Sequence, residues 1–461
     1  MFAATTKTFF HAQNSPVVKK AALILAGFLI VIAAIIVLLL SQRKKYDSTV
    51  GRKVQIEYKN GIYFLLRNGQ PFTIKGVAGD GRISELAACG GNTIRVFDTT
   101  NLGAILKEAA AHNIAVIAGI YLPPSGDLDF YNDTARVREV IESAKKIVNK
   151  YKNSPALLMW CVGNELYFPL SASHKNFYNA FNSVVNMIHR DDPNHPTTTT
   201  MVNLDIKNVL SIKFKTNIDV IAFNIFYGQL KQLSGNLKKY RWLWKDPYLI
   251  TEWGIEGPWK EAGRTAWMAP FELTGNQKAA MLIDTYNNYL LKTDDRILGA
   301  CAFFWGSKQE TTHTWFSIFS DNGAASPMKS ALKFIWSGLP PQAGIPQLSK
   351  IALNDNPTEY DSPLFNPGAE IKAHLQQIAK PNKSYTYNWE LYDEDWHRKG
   401  VYINSEKRLK PLIESTTFKN DSVIYFTAPR KEGPYRLFVN VFDTSGNFSS
   451  CNIPFYVVSQ N

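Results

Sequence analysis

The stretch Ala156-Leu157-Leu158-Met159-Trp160-Cys161-Val162-Gly163-Asn164-Glu165 runs from an apolar, strand-like segment into a carboxylate. The stretch Pro247-Tyr248-Leu249-Ile250-Thr251-Glu252-Trp253-Gly254 repeats that arrangement. In a barrel of parallel strands, such positions are the C-terminal strand ends, where side chains turn into the active-site mouth. Two carboxylates at that mouth suit the cleavage of a glycosidic bond, one as acid/base and one as nucleophile. The two stretches therefore predict a parallel barrel with a carboxylate pair at its mouth.

Apolar or β-branched runs recur along the chain in the number that a (β/α)8 barrel requires. They lie near residues 72–77, 92–97, 114–120, 156–163, 197–202, 219–226, 247–252 and 299–305. Helical periodicity separates them, over 102–111, 134–150, 174–190, 275–292 and 326–337. The predicted fold class is therefore α/β, a (β/α)8 TIM barrel. The alternative, a flat doubly wound sheet, lacks support because Gly76, Gly79 and Gly81 do not fit the dinucleotide-binding pattern.

The barrel is predicted to be the largest of several segments. The expected catalytic domain covers 54–338 and begins with a β-hairpin whose turns are Asn60-Gly61 and Asn68-Gly69. Residues 339–348, rich in proline and glycine, are predicted to be a linker. Short alternating stretches follow, which predicts an immunoglobulin-like β-sandwich over 349–461. This module either binds carbohydrate or serves as a packing or spacer unit.

The uncharged run 21–40 is long enough to span a bilayer as a helix. The run ends in Leu38-Leu39-Leu40-Ser41-Gln42-Arg43, a poor signal-peptidase site, so we predict an uncleaved single-pass transmembrane anchor behind a tail, 1–20. More basic residues follow the run than precede it, and the positive-inside rule counted literally places the large domain in the cytoplasm. A glycan substrate favours the periplasmic or extracellular side, which is the localisation we predict. The lipid bilayer is thus an expected partner through 21–40.

Composition and residue spacing exclude several other classes of protein. The chain of 461 residues is 45% hydrophobic and 20% charged, which is typical of a globular protein. The net charge is +12, but outside Arg43-Lys44-Lys45 the basic residues are dispersed, so we predict no nucleic-acid partner. The four cysteines and eight histidines lack metal-ligand spacing, so neither a metal nor another cofactor is predicted. Serine-type hydrolysis lacks its Gly-x-Ser-x-Gly turn.

The two carboxylate stretches resemble the retaining β-glycosidases of clan A, which are (β/α)8 barrels with catalytic glutamates ending strands four and seven. Asn164-Glu165 is similar to the clan's Asn-Glu pair, and Glu252 in its Thr-Glu-Trp-Gly setting is similar to the nucleophile. Asp192-Pro193-Asn194-His195-Pro196-Thr197 resembles the family 2 barrel domain. Two further stretches resemble both family 2 and the fungal β-1,3-glucanosyltransferases: Ile74-Lys75-Gly76-Val77 and Asn92-Thr93-Ile94-Arg95-Val96. The resemblance covers residues 60–338.

The resemblance implies a role for each residue of the catalytic pair. Glu165 would be the acid/base and starts protonated, whereas Glu252 would attack the anomeric carbon and must be ionised. Arg95, at the end of strand two, matches the clan arginine that holds the nucleophile charged. The spacing needed for retention, about 5–5.5 Å between carboxyl groups, is one that strands four and seven supply across a barrel mouth.

Further residues are expected to bind substrate because of the same resemblance. Asn164 would contact the sugar 2-hydroxyl, Tyr227 would hydrogen-bond the nucleophile, and Trp305 would form the stacking floor. Family 2 enzymes carry a histidine motif after strand two, where this chain has Phe97-Asp98-Thr99, so Asp98 is a candidate replacement contact. Loop residues that either line subsites or pack within their loops are Trp253, Trp259, His313, Trp315 and Tyr121-Leu122-Pro123-Pro124.

The sequence therefore predicts a membrane-anchored, retaining β-glycoside hydrolase that acts on a β-linked polysaccharide or oligosaccharide, with β-glucan as the first substrate to test. A transglycosylase would use the same residues and differ in whether water or an acceptor sugar reaches the glycosyl-enzyme. A noncatalytic, membrane-anchored glycan-binding scaffold is the alternative from another class. Retention of both carboxylates favours an enzyme over that scaffold.

Overall fold

The computed structural model of the protein describes residues 16–41, 52–259, 263–340, 344–355, 362–378, 384–394, 407–414, 417–418 and 420–459. Most of the predicted tail, 1–20, and part of the predicted linker, 339–348, lie outside these residues. The first described element is a helix, Pro16–Ser41. Its segment Lys19–Leu38 is exposed throughout and is long and apolar enough to cross a membrane. An N-terminal signal sequence meets the same criteria of length and composition.

The predicted hairpin is present and closes one end of the barrel. Its strands β1 (Val54–Lys59) and β2 (Ile62–Arg67) pair antiparallel, and the short strand β3 (Gln70–Pro71) adds to β2. The turn between β1 and β2 needs two residues with positive φ, which Asn60 (53°) and Gly61 (87°) provide. This confirms the hairpin that the two Asn-Gly pairs predict.

Eight parallel strands form a closed barrel, as the sequence predicts. In chain order they are β4 (Ile74–Gly79), β5 (Thr93–Val96), β6 (Ala115–Ile120), β7 (Leu157–Val162), β8 (Thr197–Val202), β9 (Val220–Asn224), β10 (Tyr248–Trp253) and β11 (Ile297–Trp305). Each strand pairs with its neighbour in sequence, and β11 closes the ring by pairing with β4. Most of their side chains are buried because the barrel core packs on one face of each strand and the helices cover the other.

The surrounding helices include the five that the sequence predicts and four that it does not. The predicted ones are Leu102–Ala111, Thr134–Tyr151, Lys175–Asp191, Gly275–Thr285 and Pro327–Ser337. The expected helix over 275–292 ends earlier as an α-helix and continues as a π-helical turn, Tyr286–Leu290. The additional helices are Ile83–Ala88, Leu128–Asn132, Ile206–Lys215 and Tyr227–Tyr240.

Beyond the barrel the chain forms two β-sheets that share a hydrophobic core. One sheet contains Leu348–Leu353, Glu370–Gln377 and Val423–Thr427, and the other contains Leu364–Phe365, Thr386–Asp393, Gly433–Phe442 and Phe448–Val457. Trp389 and Phe455 are buried between them. This C-terminal module is therefore sandwich-like, and its assignment as an immunoglobulin-like fold stays a prediction.

A buried polar seam joins the C-terminal module to the barrel. The carboxylate of Glu272 accepts hydrogen bonds from Lys278, from Thr312 (2.6 Å) and Thr314 (2.7 Å), and from Asn452 of the module (2.7 Å). Burial alone would raise the pKa of Glu272, but Lys278, Thr312 and Thr314 hold it below its usual range. The two loops that follow β10 and β11 are thus tied to each other and to the module.

A second buried group continues this seam within the module. Arg436 donates to Glu394 (2.6 Å) and to the backbone carbonyl of Pro270 (2.7 Å) in the loop after β10. Both charged side chains are almost fully buried. Since a buried charge is costly unless it is paired, the contact surface between barrel and module is specified by matched partners on both sides.

Candidate active site

Arg95 connects the two predicted carboxylate stretches at the C-terminal end of the barrel. Its guanidinium lies at the end of β5, where Nη1 donates to Oε1 of Glu252 and Nη2 donates to Oδ1 of Asn164. Both Arg95 and Glu252 are buried, with 1% and 5% of their surface exposed. The planar guanidinium of Arg95 therefore fixes the end of β10 relative to the turn after β7. A lysine ammonium lacks the two parallel donors that this geometry needs.

Glu165 reaches the same region because the chain turns sharply after β7. Gly163 has φ of 74° and Glu165 itself has φ of 53°, a conformation that a non-glycine residue adopts only when its surroundings impose it. Nδ2 of Asn224 donates to Oε1 of Glu165 over 2.9 Å. Glu165 is half-buried and Glu252 is buried, so the two carboxylates have different exposure to solvent.

Asn224 is a site residue that the sequence analysis missed. It ends β9 and is buried, and its amide oxygen accepts from the hydroxyl of Thr251 (2.9 Å), which neighbours Glu252. Thr251 in turn lies 2.9 Å from the hydroxyl of Thr200 on β8. Asn224 thus bridges the acid/base candidate and the strand that bears the nucleophile candidate. The available signal was a polar residue that ends the apolar strand Val220–Asn224.

Burial raises the pKa of Glu252 to about 7. Arg95 opposes that rise, while the negative charge of Glu165 adds to it. The resemblance to clan A predicts that Arg95 holds Glu252 ionised. In the structure, desolvation is the largest effect, because the carboxyl group lies below the barrel mouth with little access to water. The ionised fraction of Glu252 is therefore sensitive to pH close to neutrality.

Aromatic side chains pack around the arginine. The ring of Phe97 lies 4.1 Å from the Arg95 guanidinium carbon, and Phe97 packs in turn against Phe303 and Phe304. Burial raises the pKa of the Cys301 thiol although Arg95 opposes that rise, so this group stays neutral. The guanidinium therefore lies between an aromatic ring and the apolar barrel interior, which explains its low exposure.

Two predicted tryptophans lie at the mouth but are buried. Trp305 ends β11, packs edge-on against Phe319 and donates its indole N–H to the carbonyl of Arg82 (3.3 Å). It is fully buried, so neither ring face is open to a sugar in this conformation. Trp253 is buried as well and packs beside Tyr286. The structure thus holds both rings in protein contacts behind the carboxylate group.

The contacts that Tyr227 and Asp98 make are with residues other than Glu165 and Glu252. Tyr227 begins a helix and packs against Tyr289, with the ammonium of Lys231 3.9 Å from its ring centroid. Asp98 is exposed, and its carboxylate accepts from the backbone N–H of Thr100 (2.8 Å). The residue before Tyr227 is Phe226, whose ring instead packs on Phe303 near the mouth.

Several aromatic residues in the loops of the C-terminal face differ in exposure. Tyr121 follows β6, Tyr167 follows β7 and Trp259 follows β10, and all three are exposed. His313 is buried against Tyr392 and Phe438 of the C-terminal module. Trp315 is buried and donates to the carbonyl of Glu256 (3.0 Å), while Leu122 is buried beside exposed Tyr121. The exposed rings are the ones available to stack on a ligand.

Within the described part of the chain, no three His, Cys, Asp or Glu side chains are grouped so that they could hold a metal ion. The four cysteines are free and buried. The hydrogen-bonded group at the mouth contains one arginine and two glutamates, joined by amide side chains. This arrangement can transfer a proton and present a carboxylate nucleophile.

The closed parallel barrel, with its asparagine-glutamate turn after the fourth strand, is similar to that of clan A glycoside hydrolases. Residues 104–323, just under half of the chain, match the model for glycosyl hydrolases family 2, TIM barrel domain. This match confirms the resemblance inferred from the sequence. A comparison with curated protein sequences found no match.

Solved structures resemble the chain at low sequence identity. A β-D-glucuronidase from Dictyoglomus thermophilum is 20% identical with a TM-score of 0.48, covering 63% of this chain and 54% of that one. A β-galacturonidase from Eisenbergiella tayi, bound to galacturonate, is 15% identical with a TM-score of 0.48 and the same coverages. An endo-β-1,4-mannanase from Thermotoga petrophila is 13% identical with a TM-score of 0.41, covering 85% and 99%. The chain thus spans about half the length of the first structures it matches.

Proposed function

We propose that this protein is a membrane-anchored, retaining β-glycoside hydrolase, with Glu252 as nucleophile and Glu165 as acid/base. The observation that carries the proposal is the fork of Arg95, which bonds Glu252 and Asn164 at once. Glu165 follows Asn164 directly, so a single buried cation sets the position of both carboxylate-bearing segments. A double displacement at an anomeric carbon uses two such carboxyl groups, one as nucleophile and one as acid/base.

In the first step, ionised Glu252 attacks the anomeric carbon and forms a glycosyl ester. The bond from that carbon to the leaving oxygen breaks as Glu165 gives its proton to the oxygen. In the second step, Glu165 takes a proton from water, whose oxygen attacks the same carbon and releases Glu252 as carboxylate. Asn224 holds the Glu165 carboxyl group during both transfers, and Asn164 is available to the sugar 2-hydroxyl.

The exposed aromatic residues support an oligosaccharide or polysaccharide as the substrate. Tyr121, Tyr167 and Trp259 belong to loops after three different barrel strands. Aromatic faces spread around a mouth suit several consecutive sugar units, because each ring covers the apolar face of one sugar. A β-linked glucan is the first such polymer to test. An acceptor sugar bound at the same rings would turn hydrolysis into transglycosylation with unchanged catalytic residues.

The membrane anchor is part of the proposal. The helix Pro16–Ser41, which is exposed over Lys19–Leu38, carries no charge after Lys20 and has the length of a bilayer span. Placement of the barrel on the periplasmic or extracellular side follows from the location of β-linked polymers. Protease accessibility of the barrel in intact cells measures this placement directly.

The test of the chemistry uses a fluorinated glycoside that traps the nucleophile as a stable ester. We expect the label on Glu252 in the wild type, none in Glu252→Ala, and slow labelling in Glu165→Ala that an activated leaving group restores. Glu310→Gln is the matched control, because the charge of this carboxylate also raises the pKa of Glu252 while the side chain pairs with Lys308 (3.5 Å). Products longer than the substrate indicate transglycosylation. Glycan binding without labelling or turnover across glucans, mannans and galactans refutes the enzyme assignment.

A further inference from the structure

The hairpin β1–β2 closes the end of the barrel opposite the catalytic residues. The backbone N–H of Val54 donates to the carbonyl of Asn194 (3.1 Å), in the loop that enters β8. Arg67 at the end of β2 donates to the carbonyl of Pro155 (3.0 Å), in the loop that enters β7. Both loops lie at the N-terminal strand ends, whereas Glu252 lies at a C-terminal strand end. The hairpin and the mouth therefore occupy opposite ends of the barrel.

The two faces of the hairpin differ in exposure. Its inner face is buried against the barrel through Val54, Ile56, Tyr63 and Leu65. Its outer face carries Ile62 and Phe64, with 45% and 37% of their surface exposed, and Tyr58 near the turn is exposed as well. These exposed apolar side chains thus lie on the face of the hairpin opposite the one that packs on the barrel.

Basic residues accompany these exposed apolar side chains. Lys59 pairs with Ile62 across the two strands and is exposed, and exposed Arg52 precedes β1. Glu57, opposite Phe64, is the acidic residue of these strands and is half-buried. Aromatic and aliphatic side chains beside basic ones suit the headgroup region of an anionic bilayer.

The position of the hairpin in the chain identifies what covers this face. The apolar helix ends at Ser41 and the described chain resumes at Arg52, so residues 42–51 join them. A stretch of this length reaches at most ~36 Å when fully extended. It includes Arg43, Lys44 and Lys45, which adds positive charge next to the span. The tether therefore keeps the hairpin end of the barrel near the membrane.

We propose that the outer face of the hairpin, formed by Tyr58, Ile62 and Phe64 with Arg52 and Lys59, rests on the anionic lipid headgroups of the membrane that the N-terminal helix spans. This inference rests on the membrane anchor of the proposed function. The mouth then faces away from that bilayer, farther out by the barrel height, roughly 20 Å for strands of six residues. The substrate is accordingly a glycan that arrives from the aqueous side, and sugar headgroups of lipids in the same leaflet stay out of reach.

A fluorescent probe at each end of the barrel tests this orientation. The full chain is reconstituted in vesicles of phosphatidylcholine and phosphatidylglycerol, with a single cysteine at Ile62→Cys or, as control, at Val202→Cys. Val202 ends β8 at the mouth and is exposed. The four native cysteines are buried, so a thiol-reactive fluorophore labels the introduced one selectively. Lipids with a nitroxide on the headgroup quench a probe that is near the membrane surface.

We expect at least threefold stronger quenching at position 62 than at position 202. Phe64→Glu, added to the position-62 protein, should remove most of that difference while the protein still floats with the vesicles. Equal quenching at both positions in a protein that floats overturns the docking but leaves the anchor intact. Formation of disulfide-linked dimers through position 62 without quenching assigns the face to a second copy and also overturns it. A protein that fails to float refutes the anchor, and the docking with it.

Discussion

Replacement of Arg95 by methionine should move the ionisation of Glu252 to higher pH. Methionine keeps much of the volume of the arginine stem but removes the cation that bonds Glu252 and Asn164. Burial already raises the pKa of Glu252 to about 7 against the opposing effect of Arg95. A neighbouring arginine lowers a carboxyl pKa by about 1–3 units, so the variant should titrate at about 8–10.

The size of the effect on chemistry follows from the ionised fraction. At pH 7 that fraction is near one half in the wild type, because the pKa is about 7. In Arg95→Met it falls to between about a tenth and a thousandth, so trapping of the nucleophile at pH 7 slows about 5- to 500-fold. The loss should be partly recovered at high pH, since hydroxide restores the carboxylate. A merely misfolded site would not recover in this way.

Two measurements detect the expected shift in the pKa of Glu252. The first is the rate of labelling by the fluorinated glycoside as a function of pH. The second is the carbon-13 NMR titration of labelled glutamate, with Glu252→Gln used to assign the resonance, which needs no substrate. Arg296→Met is the matched control, because this buried arginine pairs with Asp294 (2.7 Å) at the N-terminal end of β11. It should lose stability without any change in the Glu252 titration. Coincident titrations of Glu252 in wild type and Arg95→Met would refute the reasoning.

The remaining predictions concern the pH dependence of activity and stability, the role of Asn224, and the buried polar contacts between barrel and module. Wild-type kcat/KM should fall as pH drops through about 7, because Glu252 becomes protonated, and pH profiles measure this. Stability should change in the opposite direction: the stability that protonated Glu252 contributes should be lost as pH rises through about 7, and differential scanning calorimetry of Glu252→Gln should lack this slope. Asn224→Ala should lower kcat about 10- to 100-fold with little change in KM, because Glu165 loses its positioning bond. Glu272→Gln should cost about 3–5 kcal/mol of unfolding free energy, read by denaturant titration, because Lys278 stays buried without its counter-charge.

The barrel could be predicted because each of its strands is recognisable from a short stretch of sequence. Each buried strand is a short apolar run, and the turn residues around it mark its ends. The helix Tyr227–Tyr240 was missed because Gly228, Gly235 and its lysines resemble a loop, although Leu230, Leu233 and Leu237 are buried at helical spacing. Tertiary packing supplies the stability that local propensity lacks there.

The residues of the candidate site could be predicted only where they belong to a recognised sequence motif. The Arg95–Glu252 contact joins residues far apart in sequence and was expected from the clan resemblance alone. Asn224 contacts Glu165 across two strand ends, and a polar residue after a strand is common without any such contact. For Trp305 the sequence predicts its position at the end of a strand but not the orientation of its ring. The ring packs on Phe319 in the structure.

The polar seam makes the two halves of the chain poor candidates for exchange. If the barrel and the module were separated at the linker, Glu272 would lose its hydrogen bond from Asn452, and Arg436 would lose its bond to the Pro270 carbonyl. Each fragment would then expose polar and charged side chains whose hydrogen-bond partners lie in the other fragment. A recombinant that borrows either half from a relative must carry the matching residues with it. Barrel and module are therefore expected to be inherited together, as one unit of variation rather than two.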